Sequence, residues 1–316
     1  MPPRRLSPNA ARARTAPTAR ARKEPITPRA GKEPVTPRTR TAPVTPTAPA
    51  ARIAAPKAAP VPPTASAARA AIPELEAIYG LHSGLEVFAR RPADIVHIHF
   101  ERAVRPQIQN LLRWAVEADV PHEEATERAL SVRTDSKQHE GLLIEVRPRS
   151  WSSIKDLARW LVTEKATAVA LDQVRNPQNI GAILRSAAFF GISAVILGAP
   201  SPHPGLPPFA LRVAEGGAEH LRFARTTDLA ATLTQLSAAG VQILGTDSHS
   251  GVALSNTPLR LPTLLVLGNE RVGLSPRIRA CCHASVGVSG SGQLDSLNVA
   301  VAAGVMFADL WQRRKG

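Results

Sequence analysis

From residue 167 onward, short apolar runs alternate with longer segments of helical periodicity, and no other feature constrains the fold of this chain as much. Strand-like runs fall at Ala168 to Leu171, Ala194 to Leu197, Val241 to Gly245, Thr263 to Leu267 and Ala284 to Val288. Helical stretches lie between most of them, at Asn179 to Phe190 and Asp228 to Ala239, and a last one runs from Leu297 to Gln312. Strands joined by helical crossovers pair in parallel and are covered on both faces, so they read as continuous apolar runs rather than as alternation. The pattern predicts an α/β domain with a parallel sheet over residues 167–316. Such sheets bind ligands outside the carboxyl ends of their strands.

Upstream the pattern changes twice. Residues 73–148 read as a small α/β domain, with a helix from Ser83 to Arg90 capped by Ser83 and an alternating strand from Ile95 to Phe100. A helical pattern follows from Pro106 to Ala118, then the polar turn Asp135 to Gly141 and a strand from Leu142 to Val146. Residues 149–166 read as a linking helix opened by Ser152-Ser153-Ile154-Lys155-Asp156. Residues 1–72 are different again. The first 70 residues hold eleven Arg and three Lys against two Glu, a net +12 of the chain's formal net charge of +14. They also hold fifteen of its 29 prolines, and no aromatic residue precedes Tyr79. Such a segment buries too little apolar surface to offset its conformational entropy, so a disordered basic tail is expected. Its Lys23 to Arg29 unit recurs at Lys32 to Arg38, an extended low-complexity array that either attracts polyanions without reading their sequence or serves only as a solvated linker.

The two cysteines, Cys281 and Cys282, are adjacent and stand at no metal-ligand spacing, so neither a disulfide nor a metal is expected. The longest apolar segment, Leu297 to Trp311, is interrupted by Asn298 and Asp309 and is too short to span a bilayer. A cytoplasmic protein with no membrane partner is expected.

Three clusters in the second domain carry chemistry. In the first, Leu171 to Ala187, a strand ends in a polar turn and Asn179 is placed to cap the next helix, with Arg185 in its first part. A helix start beside an arginine suits a phosphate or a nucleic-acid backbone. The alternative is that Asn179 only caps and Arg185 pairs with a surface acid. In the second, Gly268-Asn269-Glu270, a strand-end glycine lets a ligand approach the backbone, and Glu270 can hold a hydroxyl or pair with Arg185. In the third, Ser289 to Asn298, glycines 290 and 292 permit a wrapped loop and Ser296 is placed as a helix cap beside Asn298. No strand–GxGxxG–helix order is present, which argues against NAD.

Together these clusters resemble the three motifs of the SpoU/TrmH family of RNA 2′-O-ribose methyltransferases, within the SPOUT superfamily. Asn179, Gly181 and Arg185 match N-x-G-x-x-x-R; Leu267, Gly268 and Glu270 match L-G-x-E; Ser296-Leu297-Asn298 match S-L-N ahead of an apolar helix. Ala214 to His220 resembles the family's small-residue segment, and residues 73–148 look like the L30e-like RNA-binding domain often fused ahead of the catalytic one. The resemblance implies a trefoil-knotted domain that binds S-adenosylmethionine through Gly268, Val288 and Leu297, with Ser296 and Asn298 nearby. It implies Arg185, Asn179 and Glu270 as catalytic residues, structured RNA as substrate (rRNA before tRNA), and a homodimer built on the terminal helix. Where the family's third motif usually reads I-P-M-x-G, this chain has Val288-Ser289-Gly290-Ser291-Gly292, a looser loop. That departure keeps a second expectation open: a catalytically weak RNA-binding or ribosome-assembly protein on the same fold.

Overall fold

The computed structural model describes residues 75–198, 205–249 and 251–315. The tail expected to be disordered, residues 1–72, lies outside them. In chain order the elements are β1 (Glu76–Tyr79), α1 (Leu81–Arg90), β2 (Ile95–Phe100), α2 (Gln109–Glu117), β3 (His122–Glu124), α3 (Glu127–Thr134), β4 (Leu142–Val146) and α4 (Ile154–Thr163). There follow β5 (Thr167–Leu171), α5 (Pro177–Phe189), β6 (Ala194–Leu197), α6 (Pro208–Val213), β7 (Arg222–Arg225) and α7 (Leu229–Ala238). The chain ends with β8 (Gln242–Thr246), β9 (Val252–Ala253), β10 (Thr263–Leu267), α8 (Pro276–Arg279), β11 (Ala284–Gly287) and α9 (Val299–Lys315).

Two sheets form. The first has the order β1-β4-β2-β3, antiparallel except for the β2–β3 pair. The second has seven strands, β7-β6-β5-β10-β8-β11-β9, and every pair in it is parallel. Its central strands are apolar on both sides, as the sequence pattern requires. In β10, Leu264 and Val266 enter a core with Leu157, Leu161 of α4 and Leu233, Leu236 of α7. Leu265 and Leu267 point the other way, into a core with Ile183 and Leu184 of α5 and Phe307 and Leu310 of α9. Each such buried leucine contributes about 1.5–3 kcal/mol.

The helix starts follow capping chemistry, with three departures from expectation. Ser153 caps α4 and Asp228 caps α7, accepting the backbone N–H of Asp156 and Ala231. Ser83 does not cap α1: the helix begins at Leu81, and Ser83 is buried within it, its hydroxyl donating to the Leu211 carbonyl at 3.1 Å. Asn179 does not cap α5 either. Pro177 takes the first helical position and Asn176 is the cap, accepting the Gln178 N–H. At α9 the side chain of Asn298, not Ser296, accepts the N–H groups of Ala300 and Val301. Strands β1, β3, β7 and β9 and helices α3, α6 and α8 are additional to the sequence reading.

The two sheets meet through a closed ring of ion pairs. Arg91 donates to Glu219 (2.9 Å) and Glu76 (3.0 Å), while Arg149 donates to Glu76 (3.0 Å) and Glu219 (3.1 Å). Nearby, Gly216 packs so closely on Glu86 of α1 that a β-carbon there would stand 2.4 Å from it.

Candidate active site

Strands β5, β10, β8 and β11 end level with one another: Leu171 is the register partner of Leu267, Val266 of Gly245, and Val286 of Thr246. Because all are parallel, the four chains leave the sheet on one side and their loops must share that space. Backbone and side-chain bonds tie the first two together. The Asp172 N–H donates to Leu267 O at 2.8 Å, and the Asn269 amide donates to Gln173 O at 3.2 Å. Burial raises the Asp172 carboxyl above the usual carboxylate range, partly offset by a hydrogen bond from the Ser275 backbone.

The turn after β10 doubles back sharply. Asn269 accepts the Arg271 N–H at 2.9 Å through its side chain and the Gly273 N–H at 2.9 Å through its carbonyl. A β-carbon on Gly268 would lie 2.6 Å from the Gly273 carbonyl carbon. On its β-carbon side Gly268 is packed against the chain's own backbone, and it also lines a cavity at the strand ends. Glycine is needed there for the turn.

Asn179, buried in the first turn of α5, is the hub of the site. Its amide donates to the Glu270 carboxylate in a short bond, and its carbonyl oxygen accepts from the Asn298 amide at 3.1 Å. One hydrogen-bonded chain, Glu270–Asn179–Asn298, thus joins the starts of α5 and α9 to the turn after β10. Beside it lies a cavity of about 730 Å³, lined by Gly268, Glu270, Val288, Ser296, Leu297 and Asp247 among others. That size is in the range of small-molecule sites. Asn298 and Asn179 line a neighbouring groove between α5 and α9.

Asp247 and Arg279 did not figure in the sequence reading. The Asp247 side chain is 7% exposed, pairs with Arg279 and accepts the His249 N–H at 2.9 Å. The available signal was a polar residue just past a strand-like run, which also describes many loops. Cys281 and Cys282 are free thiols, and burial chiefly pushes the Cys282 thiol up to about 11.

Arg185 stands apart from this group. It lies further along α5, exposed, and its guanidinium pairs with Glu215 at 2.9 Å. Glu215 has a left-handed backbone (φ 45°), and Gly217 follows it against the helix, where a β-carbon would stand 3.0 Å from the Arg185 α-carbon. Pairing of Glu270 with Arg185 is not found; each has a different partner.

A parallel α/β sheet with a polar cluster and a cavity at its strand ends defines an α/β protein whose ligand site lies at those strand ends. Comparison with known proteins assigns it further. Residues 166–308 match the SpoU rRNA Methylase family, and residues 77–152 match the RNA 2′-O ribose methyltransferase substrate binding domain. A 23S rRNA (guanosine-2′-O-)-methyltransferase of Acinetobacter baylyi is 32% identical over 76% of this chain and 98% of its own length. An uncharacterized tRNA/rRNA methyltransferase of Escherichia coli O157:H7 is 30% identical over 75% of this chain and 68% of its own. An AdoMet-bound rRNA methyltransferase from Sinorhizobium meliloti superposes with a TM-score of 0.64 at 25% identity, over 76% of this chain and 87% of its own. The chain belongs to the SpoU family of RNA methyltransferases.

Proposed function

We propose that the protein transfers a methyl group from S-adenosylmethionine to a ribose 2′-hydroxyl of structured RNA, ribosomal before transfer RNA, in the cytoplasm. The observation that carries this reading is the Glu270–Asn179–Asn298 chain, which gathers one residue from each of three sequence motifs beside the strand-end cavity. The residues present fit the cofactor: the cavity is lined by Gly268, Val288 and Leu297, by the acidic Asp247, and by the apolar Val272 and Met306. Bound there, S-adenosylmethionine supplies an electrophilic methyl group on a sulfonium.

The protein's own task is orientation and charge control. Glu270, held by Asn179, orients a ribose hydroxyl. Arg185 is a poor base because a guanidinium carries donors and no acceptor. Its role is to fix the target phosphate and stabilise developing alkoxide charge, with the proton passing to water. Glu215, which now holds Arg185, releases it when a phosphate competes for the guanidinium. Two further readings go with this one. Residues 268–298 close a trefoil knot, supported by the insertion of β10 between β5 and β8. Two copies associate through the groove between α5 and α9, supported by the exposed Val301 and Val305 that line it.

Mass spectrometry of RNA from a deletion strain should show one lost 2′-O-methyl nucleotide, restored by the wild-type chain and not by Arg185→Ala. An unchanged modification profile would sink the enzyme reading. The second reading, an RNA-binding or ribosome-assembly protein, draws on the third-motif loop, where residues 289–298 are exposed and a β-carbon on Gly290 or Gly292 would meet nothing within 4 Å. Calorimetry separates the two: micromolar S-adenosylmethionine binding supports the enzyme, and none supports the binding protein.

A further inference from the structure

The first sheet carries a cluster that the methyl-transfer reading does not use. His97 and His99 alternate along β2, so both project from one face. Glu145 on β4 is the antiparallel register partner of His97. The ligand atoms of His97, His99 and Glu145 consequently lie within 4.8 Å of one another, the reach of a single ion.

His99 is fully buried and its hydrogen bonds define its tautomer. Its Nε2 lies 3.0 Å from an Arg133 guanidinium nitrogen, and its Nδ1 lies 2.9 Å from the Glu123 carboxylate. A guanidinium only donates, so Nε2 is the acceptor and the ring proton sits on Nδ1, shared with Glu123. A carboxylate–histidine pair in this state is what orients metal-ligating imidazoles. The lone pair of Nε2 also stands 3.7 Å from the Glu145 carboxylate. It is aimed at a position that a cationic side chain now fills. His97 stacks on His99, with ring centroids 4.0 Å apart.

We propose that His97, His99 and Glu145 form a zinc(II) site, with Glu123 orienting His99 and water completing the coordination. Two imidazoles and one carboxylate are a zinc-type donor set. Arg133 is half-exposed and also bonds Glu123 at 3.2 Å, so it can leave Nε2 and keep that second contact. The site has a structural reason to exist. The apolar cluster under α3 has only Tyr79, Leu130 and Leu143 fully buried, and metal binding to the folded state adds to its stability.

The full-length protein, stripped with EDTA and dialysed, is titrated with zinc by calorimetry, and its metal content is measured by mass spectrometry. One high-affinity zinc per chain is expected, with a rise in Tm. His97→Ala and Glu145→Gln should remove it, and Glu123→Gln should weaken it by about 10- to 100-fold. Arg133→Ala should tighten binding, because the competing cation is gone; weakened binding in that variant would overturn the assignment. So would no uptake by the wild-type chain, or uptake unchanged in His97→Ala but lost on replacing Cys281 and Cys282 by serine. Circular dichroism establishes that each variant is folded.

Discussion

Asp172 closes β5 with its side chain buried and its carboxyl raised by that burial. The folded chain therefore keeps this proton to a higher pH than the unfolded chain does, and the sign of the linkage follows. Below the unfolded value, about 3.9, both states are protonated and the group costs nothing. As pH rises through the folded value, the buried charge lowers stability. Asp172→Asn should raise Tm by a few degrees at about pH 7 and leave it unchanged near pH 3, read by thermal unfolding. A lower Tm at neutral pH would show that the charge is used. Asn179 gives the residue-scale lesson of the sequence. Its importance was legible from its position in a motif, but its assignment as a cap was wrong. Asn176 and Pro177 compete for that place, and only packing shows that Asn179 turns inward to Glu270 and Asn298.

Among elements, α9 shows the same division. Its apolar composition was plain, but two polar residues, Ser296 and Asn298, stand before its first turn, and either can cap. Asn298→Ala should cost about 1 kcal/mol in urea unfolding, since the N–H groups of Ala300 and Val301 lose their acceptor. Ser296→Ala, at an exposed position, should stay within about 0.5 kcal/mol. The reverse order would return the cap to Ser296. Strands that bury both faces, β5, β6 and β10, were read to within a residue. Strand β7 was not, because its exposed Arg222 and Arg225 flank only two buried residues and dilute the apolar signal. Strand β3, His122–Glu124, is exposed throughout and has no apolar face to read.

For the whole molecule, the ring of Arg91, Arg149, Glu76 and Glu219 joins the two sheets. Glu219 and Arg149 are 6% and 7% exposed, so removing one partner leaves buried charge uncompensated. Glu219→Ala should lower stability by about 3 kcal/mol in urea unfolding, and a loss below about 1 kcal/mol would mean the ring is not closed in solution. The basic N-terminal segment makes a separate prediction from charge alone. Removing residues 1–70 takes away fourteen cationic side chains, so RNA binding should depend less steeply on salt while the modified nucleotide stays the same. A shifted target nucleotide after truncation would assign the segment a role in specificity.

Local pattern determined what local physics can: an α/β fold, a parallel sheet buried on both faces, and three motifs at strand ends. Hydrophobic period acts over a few residues, so the sequence displays it directly, whereas a cap is left open wherever two polar residues compete for it. Tertiary structure alone decided which polar groups meet. It set Glu270 and Asn298 on Asn179, Arg185 on Glu215, Arg279 on Asp247, and His97 opposite Glu145 across a strand pair. Those partners are far apart in the chain, and hydrogen-bond reach is settled by register and packing that no local pattern encodes.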